Sequence, residues 1–353
     1  MSDHEKQPTT SRRDFVKTAG TGVAAAGVLA AAGIHARPAR AADGEKATYD
    51  ADVDPAATYE RKVGPDLDFY NKVIATKTNG TRKLVYEGTN DAHMGDAFFL
   101  KAGQVIRFEQ RPSKHNGRTQ IADVMFVTPD LSQISDHLNT SAFEGLNQRL
   151  YSGVWTQSLF CEKIATMVAD EFPYEKLEHE DVSHVFFAAH CCAEWITMVH
   201  GPEDNVNSCH ENFIHAFNRL PAVRAIKDET ERRRVVQALA DRNDINIFQG
   251  NLFTQDDRHV TRCRLSPTPS VDDGVGIEWY AEKDMYAIVS NCPYADQALP
   301  FPEAKPNPLY VSVWETGIKP YSQDHLGNRK HAWEDNYYRR IATKDTSVVH
   351  PPS

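Results

Sequence analysis

The chain has 353 residues, 41% of them apolar and 10% aromatic, with 49 Asp and Glu against 39 Lys and Arg for a formal charge of −10. That composition supplies a large core and excludes a disordered chain, a collagen-like repeat and a disulfide-dense mini-domain. An acidic chain also lacks the basic face that nucleic acid or an anionic membrane requires, so neither is expected as a partner.

The charge is uneven along the chain. Residues 1–41 carry six basic side chains (Lys6, Arg12, Arg13, Lys17, Arg37, Arg40) and three acids, a net of +3, and the rest carries 33 basic and 46 acidic residues, a net of −13. The basic segment reads as an address. Ser11-Arg12-Arg13-Asp14-Phe15-Val16-Lys17 fits the twin-arginine export motif, an Ala/Gly-rich apolar stretch follows from Thr18 to about Ile34, and Ala39-Arg40-Ala41 is a small-x-small cleavage site. The apolar stretch is short and weakly hydrophobic beside the roughly 20 strongly apolar residues of a spanning helix. A removable signal over residues 1–41 is therefore favoured over an uncleaved anchor, with a periplasmic or extracytoplasmic destination and no stable span once it is removed. Twin-arginine substrates cross folded, so a metal acquired beforehand is compatible with export. The six cysteines are read in that light. An even count in an exported protein suggests disulfides, but a chain that folds in a reducing compartment need not form them.

Residues 42–80, opening on a polar Asp/Pro-rich stretch to 66, are expected to form an extended arm. From 81 to 318 the pattern is that of one compact α+β domain, with mixed, largely antiparallel sheets and a few helices. Lys83–Glu87 and Gln104–Glu109 show the alternation of half-buried strands. The apolar runs Ile121–Val127, His184–His190 and Met285–Ser290 predict strands buried on both faces. Helical periods appear at Cys209–Leu220 and at Asp228–Ala240, where Val235, Val236 and Leu239 share a face. Residues 319–353 form an aromatic, polar, turn-rich tail suited to wrapping the domain or a partner, which leaves homo- and hetero-oligomers both open.

Three segments concentrate Cys and His: Ala189-His190-Cys191-Cys192-Ala193-Glu194, Asn207-Ser208-Cys209-His210-Glu211-Asn212, and Ser290-Asn291-Cys292-Pro293. None has zinc-finger spacing, but catalytic zinc sites gather scattered ligands and keep a position open for water. On a helix starting at Cys209, residues Phe213, Ala216, Phe217 and Leu220 share its face, so Cys209 points inward. Its place in the first turn would lower a thiol's pKa, as a thiolate ligand or nucleophile requires; a small apolar filler would occupy the same place. Ser208-x-x-Glu211 reads as a capping box, which competes with any acid–base role for Glu211. His190 closes an apolar strand, where a satisfied core histidine is as natural as a ligand. Cys191 and Cys192 would point to opposite faces if that strand continued, so only one could join His190. Cys161 and Cys263 read as ordinary buried thiols. No phosphate-binding glycine loop is present, since Gly274-Val275-Gly276 does not continue as GxGxxG.

The ordered set of blocks from about Gly103 to Val313 resembles the urea carboxylase-associated protein family, long catalogued as a domain of unknown function. The blocks are Gly117-x-x-Gln120-x-x-Asp123, Ser135 to Thr140, Leu150 to Gly153, the His190 segment, Ser208-Cys209-x-x-Asn212-Phe213, Asn246-Ile247-Phe248, and Asp284 to Pro293. The resemblance implies a bound zinc, held at His190, Cys209 and Cys292. It also implies kinship with carboxyguanidine deiminase subunits, which hydrolyse a C–N bond. Two departures stand out: the family commonly has His-Asp where this chain has His190-Cys191, and an export leader does not suit cytoplasmic, ATP-dependent carboxylation chemistry.

The expectation is a zinc-dependent hydrolase acting on a C–N bond of a small amide, amidine or guanidine. Asp123 is the preferred proton shuttle, ahead of Glu194 and Glu211, and Asn212 orients substrate or water. Two alternatives stand beside it: a non-catalytic zinc-containing binding or partner protein, and a metal-free protein with disulfide-bonded cysteines.

Overall fold

The computed structural model describes residues 67–111, 120–135, 154–157, 163–173, 185–187, 190–200, 207–242, 244–255, 257–258, 261–266, 271–293 and 306–320. The expected leader, residues 42–66 of the arm, Cys161 and the tail beyond 320 lie outside these residues.

Thirteen strands and five helices are present among the described residues. In chain order they are α1 (Leu67–Thr78), β1 (Lys83–Asn90), β2 (Gly95–Leu100), β3 (Gln104–Glu109), β4 (Ala122–Val127), β5 (Val154–Gln157), β6 (Lys163–Asp170) and β7 (Val185–Phe187). There follow α2 (Ala193–His200), α3 (Cys209–Phe217), α4 (Pro221–Ala225), α5 (Glu229–Ala240), β8 (Asp244–Ile247), β9 (Gly250–Gln255), β10 (Thr261–Ser266), β11 (Gly276–Ala281), β12 (Met285–Asn291) and β13 (Leu309–Glu315). The class is α+β. Three sheets form, a six-stranded one in the order β1-β13-β3-β11-β6-β5, a five-stranded one in the order β2-β12-β4-β8-β7, and the β9–β10 hairpin. Every strand pairing among the described residues is antiparallel. No described helix is long and apolar enough to cross a membrane.

The two large sheets share one core. Ile106, Phe108, Ile277, Trp279, Val311 and Val313 of the six-stranded sheet meet Val124, Phe126, Ala287, Val289, Ile245 and Ile247 of the five-stranded one. Because side chains alternate along a strand, the intervening residues face outward. On the six-stranded sheet these are covered by α1, whose Phe69, Tyr70 and Val73 pack on Val105, Val168 and Tyr280. The expectation of an extended arm over 42–80 is corrected there: residues 67–78 are helical, because packing Phe69, Tyr70 and Val73 on the sheet outweighs the weak helix propensity of a segment rich in β-branched and aromatic residues.

On the five-stranded sheet the outward residues Met125, Val127 and Ile288 are covered by Phe213, Ala216 and Phe217 of α3 and Val236 and Ala240 of α5. The buried runs β4 and β12 have the expected character, with cover on both faces. Of the strand expected over His184–His190, β7 covers Val185–Phe187; residues 184, 188 and 189 lie outside the described residues, and His190 lies in the non-helical residues that lead into α2.

Candidate functional site

The face of the five-stranded sheet under α3 turns from apolar to polar at one end. Asp123 on β4 is the register partner of Asn246 on β8. Asp244 stands two residues from Asn246 and so shares its face. Ile245 and Ile247 go to the apolar core on the other side. Ser290 and Asn291 end β12, and Cys292 follows directly. Polar groups thus line the helix-covered side while the same strands stay apolar toward the inter-sheet core.

Helix α3 brings its first turn onto this patch. Ser208 caps it: the Ser208 hydroxyl accepts from the Glu211 N–H at 3.2 Å, and the Glu211 carboxylate accepts from the Ser208 N–H at 2.8 Å. Glu211 is therefore occupied by the cap, the structural one of its two readings. Cys209 and Asn212 are fully buried. The Asn212 amide donates to Ser290 Oγ and to the Asn291 carbonyl, each at 3.2 Å, while its Oδ1 is buried with no hydrogen-bond partner. The close seat of α3 depends on Gly95 at the start of β2, where a Cβ would stand 1.9 Å from the Asn212 carbonyl oxygen.

The thiols meet at Cys209. Its side chain packs in one buried cluster with Cys292 and the partly buried Cys191, and its neighbourhood favours the ionised form of Asp123. Its backbone N–H donates to Cys191 Sγ at 3.3 Å, and the His210 N–H donates to the Cys191 carbonyl at 3.0 Å. Cys191 thus accepts two of the first-turn amides that a helix start leaves unpaired. Cys191 is the member of the Cys191–Cys192 pair that joins the site, whereas the Cys192 carbonyl accepts the Ile196 N–H of α2. The expectation that the helix start lowers the Cys209 pKa is overturned. Contact with the other two thiols and burial push it well above the ordinary thiol value, and the first-turn amide that would have stabilised a Cys209 thiolate serves Cys191 instead.

His190 closes the cluster from the side. Its Nδ1 lies 2.6 Å from Asp244 Oδ2 and its Nε2 lies 3.0 Å from His210 Nδ1, with the two imidazoles stacked. Gln237 Nε2 is 2.9 Å from His210 Nε2. One order of donors satisfies all three contacts: Gln237 to His210, His210 to His190, His190 to Asp244. Burial acts on both ends of the inner pair, pushing the Asp244 carboxyl well up and the His190 imidazole down, toward their neutral forms. Burial, and then competition with the neighbouring Asp244 carboxyl, raise Asp123 to about 7, although Cys209, His190 and Asn246 all favour its ionised form. The Asn246 amide donates to Asp123 at 2.9 Å.

The fold therefore draws His190, Cys209, Cys292, Asp123 and Asn212 to one end of one sheet. Glu194 is not among them; it is exposed on the first turn of α2. His210 and Asp244 are the residues that sequence reading missed. For Asp244 a usable signal existed: Asp-Ile-Asn-Ile alternates like a strand, and acceptors on the covered face of a buried strand need partners.

Among the described residues, no set of three or more His, Cys, Asp or Glu side chains is already disposed around one point to hold a metal ion. The donor chemistry nevertheless suits zinc: buried thiols in mutual contact, and an imidazole whose far nitrogen is held by a carboxylate, as outer partners of zinc ligands commonly are. The nitrogen of His190 that is free of Asp244 is the one facing His210, so a metal taken there displaces that contact.

No family model matches the chain, and no curated protein matches it. Among solved structures it is similar to a DUF1989 family protein from Silicibacter pomeroyi, at 18% identity and a TM-score of 0.55, covering 78% of this chain and 94% of that one. DUF1989 is the urea carboxylase-associated family, the one that the sequence blocks resemble. At that identity the likeness establishes the shared fold.

Proposed function

We propose that the protein is a zinc-dependent hydrolase acting on a C–N bond of a small amide, amidine or guanidine-type compound, with His190, Cys209 and Cys292 as the metal ligands. One observation carries the reading. Segments far apart in sequence deliver a carboxylate-backed imidazole, two fully buried thiols and a buried carboxyl to a single patch. A merely structural core has no need of that concentration, and burying so many polar groups costs stability.

Zinc, when bound, supplies the Lewis acidity that makes water a nucleophile near neutral pH. The chain's own residues do the rest. Asp244 holds the His190 ring in one tautomer and orientation. Asp123, fixed by the Asn246 amide, would take up the Cys209 thiol proton if Cys209 held the metal. The same carboxyl then carries protons between water and a leaving nitrogen. The unpaired Oδ1 of Asn212 is an acceptor for a substrate N–H or a water.

The leader residues support export by the twin-arginine route, with a metal loaded before crossing. Intact mass of the protein from a periplasmic extract would check removal near Ala41. A second reading, a closed structural zinc, is favoured by one observation: Cys191 places a third thiol against Cys209.

Two measurements together test the proposal. Purified protein is expected to hold about one zinc per chain, lost in His190→Ala and in Cys209→Ser. It is also expected to release ammonia from a member of an amide, amidine and guanidine panel, with Asp123→Asn retaining zinc but slowing turnover about 100-fold or more. Full zinc in both ligand variants would sink the site, and zinc with no turnover across the panel would favour the structural reading.

A further inference from the structure

Cys191 has no role in that hydrolysis, yet it is bound closely to the residue that matters most. Its Sγ accepts the Cys209 N–H at 3.3 Å, its carbonyl accepts the His210 N–H at 3.0 Å, and its side chain packs against the buried cluster that holds the Cys209 thiol. It differs from Cys209 in access. Cys209 and Cys292 are buried, whereas Cys191 is partly exposed, in the short non-helical stretch before α2. An accessible thiol against a buried one is the arrangement of an attacking and a resolving cysteine. Cys292 fits the pairing less well: it is buried, its N–H is bonded to the Ile121 carbonyl at 3.2 Å, and its carbonyl accepts from Gln120 Nε2 at 3.0 Å.

We propose that Cys191 and Cys209 form a reversible disulfide, an oxidisable pair whose formation withdraws Cys209 from metal binding. The pair itself stands on the contact between the two cysteines; the competition with metal rests on the reading of Cys209 as a ligand. The chemistry needs an external disulfide as oxidant. The Cys191 thiolate attacks one of its sulfurs, the S–S bond breaks, and a free thiol leaves with a mixed disulfide on Cys191. Cys209 then attacks the Cys191 sulfur and expels the second thiol. Two protein thiols are oxidised, one external disulfide is reduced to two thiols, and the thiol protons pass to the departing thiolates.

The test uses the full chain, reduced, stripped of metal by a chelator and then incubated with oxidised glutathione. Alkylation of the remaining thiols and cleavage after glutamate, which cuts at Glu194 and Glu203, separates the Cys191 peptide from the Cys209 peptide. The expected product is a Cys191–Cys209 cross-link that disappears with reductant, is absent in Cys191→Ser and persists in Cys192→Ser. Zinc affinity should fall about 100-fold on oxidation, since even outer-shell partners of a metal are worth 10- to 100-fold, and Cys191→Ser should hold zinc equally well with and without oxidant. Free thiols at both positions after oxidation, or Cys209 joined instead to Cys192 or Cys292, overturn the pairing; fragmentation of the cross-linked wild-type peptide between Cys191 and Cys192 decides this even if a variant fails to fold. A Cys191–Cys209 cross-link in a protein whose reduced form takes no zinc keeps the pair, overturns the competition and counts against the hydrolase reading separately.

Discussion

Replacing Gly95 by alanine tests whether the site depends on the close seat of α3. The added Cβ would stand 1.9 Å from the Asn212 carbonyl oxygen and 2.5 Å from its carbon. Both are backbone atoms, so no side chain can swing aside. Restoring an ordinary contact of roughly 3.5 Å requires β2 and α3 to part by about 1.5 Å. Gly95 is not among the positive-φ glycines, so the cost is one of packing rather than backbone conformation. Overpacking a core by a single group costs about 1–3 kcal/mol, and a clash that backbone alone can relieve belongs at or above the top of that range. The displacement also reaches the site. Asn212 loses the register of its 3.2 Å bonds to Ser290 and Asn291, and Cys209, one turn away, moves from Cys292. Urea unfolding should show a loss of about 3 kcal/mol, and alkylation of Cys209 in the native protein should accelerate. An unfolding midpoint unchanged within about 0.5 kcal/mol, the scatter of ordinary surface substitutions, would refute the packing argument.

Other substitutions separate the roles of individual carboxylates. Glu211→Ala should cost about 1 kcal/mol, the usual worth of a helix cap, and leave zinc content unchanged; loss of metal or turnover without loss of stability would return Glu211 to the catalytic set. Glu278 sits at 1% exposure on the outer face of the six-stranded sheet, 2.7 Å from Arg82 and 3.2 Å from Arg107. Burial alone would raise its pKa, but Arg82, Lys77 and Arg107 outweigh burial and hold it below the ordinary value. A depressed carboxyl contributes stability that is present above the unfolded pKa and is lost as pH falls through the folded one. Glu278→Gln should therefore cost about 3–5 kcal/mol at pH 7, the usual price of breaking a buried pair, with the deficit shrinking below about pH 4. A deficit independent of pH in chemical unfolding would contradict that assignment.

Much of this architecture is legible in the sequence, and the residues that are not share a cause. The apolar runs of β4 and β12 announce strands covered on both faces, and the spacing of Cys209, Phe213, Ala216 and Phe217 sets the buried side of α3. Ser208 and Glu211 declare the cap because a capping box is local, with its partners three residues apart. Helix α1 is hidden: its twelve residues mix Phe, Tyr, Val, Ile and Thr, and only the sheet beneath supplies the reason for a helix. The same limit applies to the site. Asp244 and His190 are 54 residues apart and His190 and His210 are 20 apart, so no spacing rule joins them. The pKa of Cys209 reversed for a related reason: the helix start argues locally for a thiolate, and two thiols from elsewhere in the chain argue against it.

The zinc K-edge absorption spectrum of the reduced, purified protein addresses the central claim most directly, because it counts sulfur neighbours. The proposed site predicts about one zinc per chain with two sulfurs near 2.3 Å and the remaining positions filled by nitrogen or oxygen near 2.0–2.1 Å, and loss of the zinc signal in Cys209→Ser. Three sulfurs in the wild type would make Cys191 a ligand of a closed structural site, and a chain that takes up no zinc would contradict the metal site altogether.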